Sequence, residues 1–235
     1  MQPHRLLAVL WLAAAAVLLA VGAVRQPSSN CQRRCGEVDI PYPFGIGSDD
    51  CAMPGFMLRC DNTSGGGPFV SFPPQVYHVD VLNISLLQGK AQVLNRISSY
   101  CYNTTSQQMH YDIWWLNFTN MPYRFSNTDN RFTVIGCQTL AYIRDDDENN
   151  GKYMSGCVAM CEESDATTSI NDSCNGIGCC QTAIPKGLQY YWVSFDENFN
   201  TTQIYNFSAC SYGVLTGFNR FPLPNELRDF EGFLH

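Results

Sequence analysis

Twelve cysteines are the residues of this 235-residue chain with the most chemistry available to them: Cys31, Cys35, Cys51, Cys60, Cys101, Cys137, Cys157, Cys161, Cys174, Cys179, Cys180 and Cys210. An even set in an oxidising compartment reads as a disulfide framework. The spacing does not reveal the pairing, since six bridges allow on the order of ten thousand connectivities. Cys157-x3-Cys161 and Cys174-x4-Cys179-Cys180 have near-zinc spacings. Adjacent cysteines diverge in an extended chain, however, and export favours disulfides over thiolate ligands, so no metal site is expected. A cysteine nucleophile needs a base beside it. Beyond the first 23 residues only His78, His110 and His235 carry imidazole, and none lies in a cysteine-hydrolase signature. Glycosidase chemistry needs two carboxylates flanking a cleft, and no motif nominates a pair. Binding, not catalysis, is the expectation.

Asparagine supplies a second mark of export. Asn-x-Ser/Thr sequons stand at Asn62, Asn83, Asn103, Asn117, Asn171, Asn200 and Asn206, and 18 Asn with 30 Ser/Thr would give about two by chance. The N-terminus agrees. A weakly basic lead is followed by an uncharged Leu/Ala/Val run and by Val21-Gly22-Ala23, the layout of a secretory signal over residues 1–23. The alternative is an uncleaved membrane anchor, since residues 6–24 are about long enough to span a bilayer. Either way the rest reaches an extracellular compartment, attached to a membrane only if that segment stays.

These residues must be held by strands. Aromatic and β-branched runs between Gly, Pro, Asn and Asp breaks predict strands over 76–87, 91–97, 113–119, 132–135, 190–195 and 203–207. No helical stripe of ten or more residues follows the leader, so the fold class is mostly β: small disulfide-rich modules, two in tandem, with short helices or none. Gln88-Gly89-Lys90 separates two runs at hairpin distance. A glycan on Asn117 would put odd positions on the wet face, sending Trp114, Leu116 and Phe118 inward and leaving Trp115 beside the sugar. Along 79–86 the apolar parity switches between Val81 and Leu82. One inserted residue, a β-bulge, would keep His78, Asp80 and Asn83 outside; a strand buried on both faces is the alternative. Tyr190, Tyr191 and Trp192 are expected to split between core and surface. The expected division is 1–23 leader, 28–102 first module, 103–215 second module and 216–235 irregular tail. The run 145–151 reads as a solvated acidic turn, lacking an EF-hand's spaced ligands.

Cys31-x3-Cys35-Gly36-x-Val38-x-Ile40-Pro41-Tyr42-Pro43-Phe44-Gly45-Ile46-Gly47, then Cys51 and Phe56-x-Leu58-x-Cys60, resembles the galacturonan-binding module of plant wall-associated kinases. Gly136-Cys137-x-Thr139-Leu140-Ala141-Tyr142, Gly156-Cys157-x3-Cys161, Cys174-x-Gly176-Ile177-Gly178-Cys179-Cys180-Gln181-x3-Pro185 and Cys210-Ser211-Tyr212 resemble the cysteine-rich second part of the same ectodomains. The resemblance implies a secreted or cell-wall protein that contacts pectin or a related acidic polysaccharide, here without the kinase that normally follows. A protein-interaction ectodomain, acting as decoy or co-receptor toward receptor ectodomains, is the alternative.

Charge bears on that expectation. Without residues 1–23 the chain has 13 basic and 21 acidic residues, a net of −8. Polygalacturonate is itself an anion, so like charges repel. From Cys31 to Cys101 there are five basic and six acidic residues, whereas from Tyr102 to Thr216 there are five and twelve. An acidic glycan would therefore be gripped by the first module. Arg33, Arg34 and Arg59 are the candidates, because a guanidinium meets a carboxylate with paired donors; solvated surface charge is their other role. Tyr42 and Phe44, among Pro41 and Pro43 in a stretch expected to be extended, either stack on a pyranose or plug the module's core. No cofactor is expected, apart from Ca²⁺ as a bridge between pectin and the acidic second half. No nucleic-acid partner is expected.

Overall fold

The computed structural model describes residues 30–62, 68–71, 79–144, 153–166, 174–217 and 229–234. The leader, Asn171, His78, His235 and the acidic run 145–151 lie outside the described residues. Those described are mostly β, with only two short helical pieces, a 3-10 turn at Asp49–Cys51 and a helical turn at Glu163–Ala166.

A two-stranded ribbon, β1 (Arg34–Cys35) and β2 (Val38–Asp39), opens the fold. A six-stranded sheet follows, formed by β3 (Gly45–Ile46), β4 (Met57–Asn62), β5 (Pro68–Ser71), β6 (Asp80–Ser85), β7 (Lys90–Arg96) and β17 (Asp229–Leu234), in the order β17-β7-β6-β5-β4-β3. Only β3 and β4 run parallel in it. A five-stranded sheet is built from β8 (Ser98–Asn103), β9 (Gln108–Asp112), β11 (Asn130–Ile135), β14 (Cys179–Ala183) and β16 (Cys210–Gly217), in the order β14-β11-β16-β8-β9. A four-stranded sheet has the order β10-β15-β12-β13, from β10 (Trp115–Asn117), β12 (Thr139–Arg144), β13 (Tyr153–Ala159) and β15 (Tyr190–Phe195).

Local sequence chemistry accounts for much of this. Gly89 turns the β6–β7 hairpin at φ +61°, a conformation that suits glycine, and donates its N–H to Leu86 O at 3.1 Å. The bulge in β6 is present: Val81 pairs with Val93 and Asn83 with Gln92, so Leu82 is the extra residue. Val79 and Val81 are buried while Asn83 faces water. In β10 Leu116 is buried, as is Phe118 just beyond it, and Trp114 packs against the core with its indole N–H on Asn95 Oδ1 at 2.9 Å. Tyr191 is fully buried and Trp192 half-exposed.

Two expectations are corrected. Residues 203–207 are turns, not a strand: Ile204 donates to Thr201 O and Phe207 to Ile204 O, so these backbone groups are satisfied locally. The tail is not irregular throughout. β16 extends to Gly217, and β17 pairs with β7 from Asp229↔Arg96 to Leu234↔Ala91. Cys101 on β8 stands directly opposite Cys210 on β16, which draws β8 into the five-stranded sheet.

All twelve cysteines are bridged: Cys31–Cys51, Cys35–Cys60, Cys101–Cys210, Cys137–Cys161, Cys157–Cys180 and Cys174–Cys179. Adjacent Cys179 and Cys180 part company along β14, as an extended chain requires. His110 lies across the β8–β9 pair from Cys101, but that sulfur is bonded to Cys210.

One core runs through both halves. Its seam is a chain of rings: Phe44 against Phe56 at 5.2 Å and Tyr123 at 6.1 Å, Tyr123 against Phe118 at 5.7 Å, Phe118 against Phe125 at 5.5 Å, and Phe125 against Tyr191 at 5.9 Å. Polar links run beside it. Asn95 on β7 donates to Leu215 O at 3.2 Å, and Lys90 Nζ reaches Asp129 Oδ1 at 2.6 Å. Partial burial raises the Asp129 pKa, but donors from Lys90, Ser126 and Thr128 outweigh it and hold the carboxyl well below the usual range.

Two predictions follow from this frame. A carboxyl depressed by folding contributes stability above its unfolded pKa and loses it as pH falls through the folded value. Lys90→Met should therefore flatten the fall in melting temperature between about pH 4 and pH 2 relative to the parent. Separately, Cys101–Cys210 closes a 109-residue separation and Cys174–Cys179 one of 5. Replacing the first pair by alanine should destabilise by about 2–5 kcal/mol in denaturant titration, and replacing the second by less, since loop entropy grows with length.

Candidate functional site

The candidate residues sit on a frame made by two bridges. Cys31–Cys51 and Cys35–Cys60 tie the β1–β2 ribbon to the 3-10 turn and to β4. Arg34 and Arg59 each immediately precede a cysteine of the same bridge, Cys35–Cys60, which brings β1 and β4 together. Gln32 braces the junction by donating to Arg34 O at 2.7 Å and to Cys60 Sγ at 3.5 Å.

The three arginines are not equivalent. Arg34 is held within its own ribbon, with Glu37 Oε2 at 3.5 Å and Asp39 Oδ1 at 3.6 Å, and its Nε donates to Gly36 O at 3.1 Å. Arg59 lies 3.3 Å from Asp61 Oδ1, and Asp61 also accepts from Ser71 Oγ at 2.8 Å. Arg33 is exposed, and its guanidinium meets no acid or acceptor among the described residues. Its backbone is anchored, because Arg33 O accepts from Ile40 N–H at 2.8 Å. Ion pairs this exposed are worth about 0–1 kcal/mol, so an incoming carboxylate can exchange with Glu37, Asp39 or Asp61 at little penalty. Among the described residues Arg33 has nothing to exchange.

Tyr42 and Phe44 part company. The stretch around them is a turn and not extended: Phe44 N–H donates to Pro41 O at 2.9 Å across a cis Tyr42–Pro43 peptide, and Pro43 O accepts from Met53 N–H. Phe44 is 7% exposed, with Phe56 edge-on and Tyr123 stacked against it. It plugs the core and offers no ring face to a sugar. Tyr42 remains half-exposed. Gly45 completes the motif because the backbone carbonyl of Cys51 occupies the place a Cβ would take.

One cavity escapes any local reading of the sequence. A cleft of about 200 Å³ lies where Pro43, Phe44 and Phe56 meet Ile84 and Leu86 of the first module and Pro122 and Tyr123 of the second. No motif announces it, since its walls come from segments far apart in the chain. Its only ammonium, Lys90, is already engaged by Asp129, so the space suits an apolar group and not a uronate.

The comparisons with known proteins bear on this frame. The wall-associated receptor kinase galacturonan-binding family matches residues 31–95, which contain both bridges and all three arginines. Wall-associated receptor kinase 2 of Arabidopsis thaliana is 34% identical over 193 residues, covering 81% of this chain and 24% of that protein. Wall-associated receptor kinase 5 of the same plant is 30% identical over 211 residues, covering 87% and 26%. The chain thus spans about a quarter of the length of these relatives. No solved structure matches it. No helix among the described residues is long and apolar enough to cross a membrane. Residues 31–95 match the wall-associated receptor kinase galacturonan-binding family, and most of the chain is similar to about a quarter of the wall-associated receptor kinases 2 and 5.

Proposed function

We propose that this chain binds acidic polysaccharide of the pectin class, polygalacturonate above all, at the cell wall and without catalysing a reaction. One observation carries the reading: the module described as galacturonan-binding holds Arg33, exposed and uncommitted, on a doubly bridged frame. Arg34 and Arg59 extend the cationic surface once their acids exchange for uronates. Tyr42, half-buried in the same module, is the aromatic that remains for stacking. The acidic second half opposes a polyanion, and Ca²⁺ bridging between its carboxylates and uronates offsets that repulsion.

A second reading, a protein-interaction ectodomain acting as decoy or co-receptor, is favoured by a different observation. Leu86 is 49% exposed and Leu87 wholly so, at a hairpin tip beside the seam cavity, where apolar side chains suit a protein surface.

Retention on de-esterified polygalacturonate separates the two. The secreted protein should be held at low salt, be released as salt rises, and pass through fully methyl-esterified pectin. Arg33→Ala should weaken retention about fivefold, the worth of roughly 1 kcal/mol. Passage at low salt, with calcium and with a chelator alike, would overturn the pectin reading and leave the second.

A further inference from the structure

Of the seven sequons, only that of Asn117 has an aromatic residue two positions earlier, Trp115, and strand geometry turns this spacing into a contact surface. Side chains two apart on a strand leave the same face about 7 Å from one another, roughly the length of one pyranose ring. Trp115 and Asn117 both lie in β10, and their cross-strand partners are Trp192 and Tyr190 on β15. Directly paired residues share a face. Trp115 lies 6.2 Å from Trp192 at 26° and 6.1 Å from Tyr190 at 31°, so two rings flank it at shallow angles, and of these Tyr190, opposite Asn117, is buried. The opposite face, with Leu116, Tyr191 and Val193, is buried. On the other face Trp115 and Trp192 are half-buried, and neither is wholly covered.

The amide is set for substitution. Thr119 N–H donates to Asn117 Oδ1 at 2.8 Å, which fixes the side chain, and Nδ2 makes no hydrogen bond among the described residues. At Asn200, by contrast, Nδ2 donates to Glu197 O at 2.8 Å. β10 is also the edge of its sheet, a row of backbone groups that proteins commonly cover.

We propose that Asn117 carries an N-glycan whose first N-acetylglucosamine lies across Trp115, with Trp192 beside it, as a fixed part of the fold. The donor is a lipid-diphosphate-linked oligosaccharide. Asn117 Nδ2 bonds to C1, the C1–O bond breaks, the lipid diphosphate leaves with the electron pair, and Nδ2 gives up one proton to base. The sugar's axial C–H groups then meet the electron-rich ring face. This is independent of pectin binding.

The test uses the whole secreted chain from a glycosylating host that keeps its glycans high-mannose. Glycopeptide mass spectrometry should find Asn117 occupied. Endoglycosidase trimming to a single N-acetylglucosamine should leave the melting temperature unchanged, whereas Asn117→Gln or Thr119→Ala should lower it by about 2–4 °C. Trp115→Ala should lower it further in the glycosylated protein than in the Asn117→Gln background; if that variant is not secreted, Trp115→Leu closes the same cycle. An empty Asn117, no loss on removing the sequon, or equal losses from the Trp115 change in both backgrounds would overturn the proposal.

Discussion

Burial of Tyr123 among Phe44, Phe56 and Phe118 is the contact on which the arrangement of the two halves rests. Small disulfide-rich domains bury little apolar surface each, and ring-to-ring packing supplies much area from few residues. Here the rings are contributed by both halves, so neither has a complete core alone. β17 adds to the same linkage by returning from the end of the chain to pair with β7. The bridges do not cross this seam: two lie on one side and four on the other. Covalent chemistry thus holds each half, and packing holds the halves together.

That division explains why the first module can present charge. Its ribbon and β4 are locked by Cys31–Cys51 and Cys35–Cys60, leaving side chains beside the half-cystines free to serve the surface. Two of the three arginines are answered by acids of their own module, and the pairs are exposed enough for exchange to be inexpensive. In the proposed function, recognition of a polyanion by a chain of net charge −7 depends on local charge placement, not on the overall field.

Phe44 shows how an aromatic in a binding-type motif is taken by the core. The Pro41–Phe44 turn directs it inward, and Gly45 lets the backbone approach Cys51 so that the turn can seat. Trp115 shows the reverse, an aromatic on a strand whose parity turns it away from the face that buries Leu116 and Tyr191.

The sequence by itself determined what depends on short range. The β class, the alternation through β10, the bulge after Val81 and the glycine hairpin all follow from side-chain periodicity and backbone preference within a few residues. The even number of cysteines likewise declared a bridged chain, and the motif around Pro41-Tyr42-Pro43-Phe44-Gly45 declared the galacturonan-binding module. Tertiary structure alone decided which cysteines pair, that Cys101 serves the second half, that the end of the chain supplies β17, and that Phe44 meets Tyr123 some 80 residues away in a cavity wall. It also decided that residues 203–207, strand-like in composition, close as turns because their hydrogen bonds are met locally. Each of these depends on which distant segment lies alongside, and a local pattern of residue types carries no information about its neighbour across space.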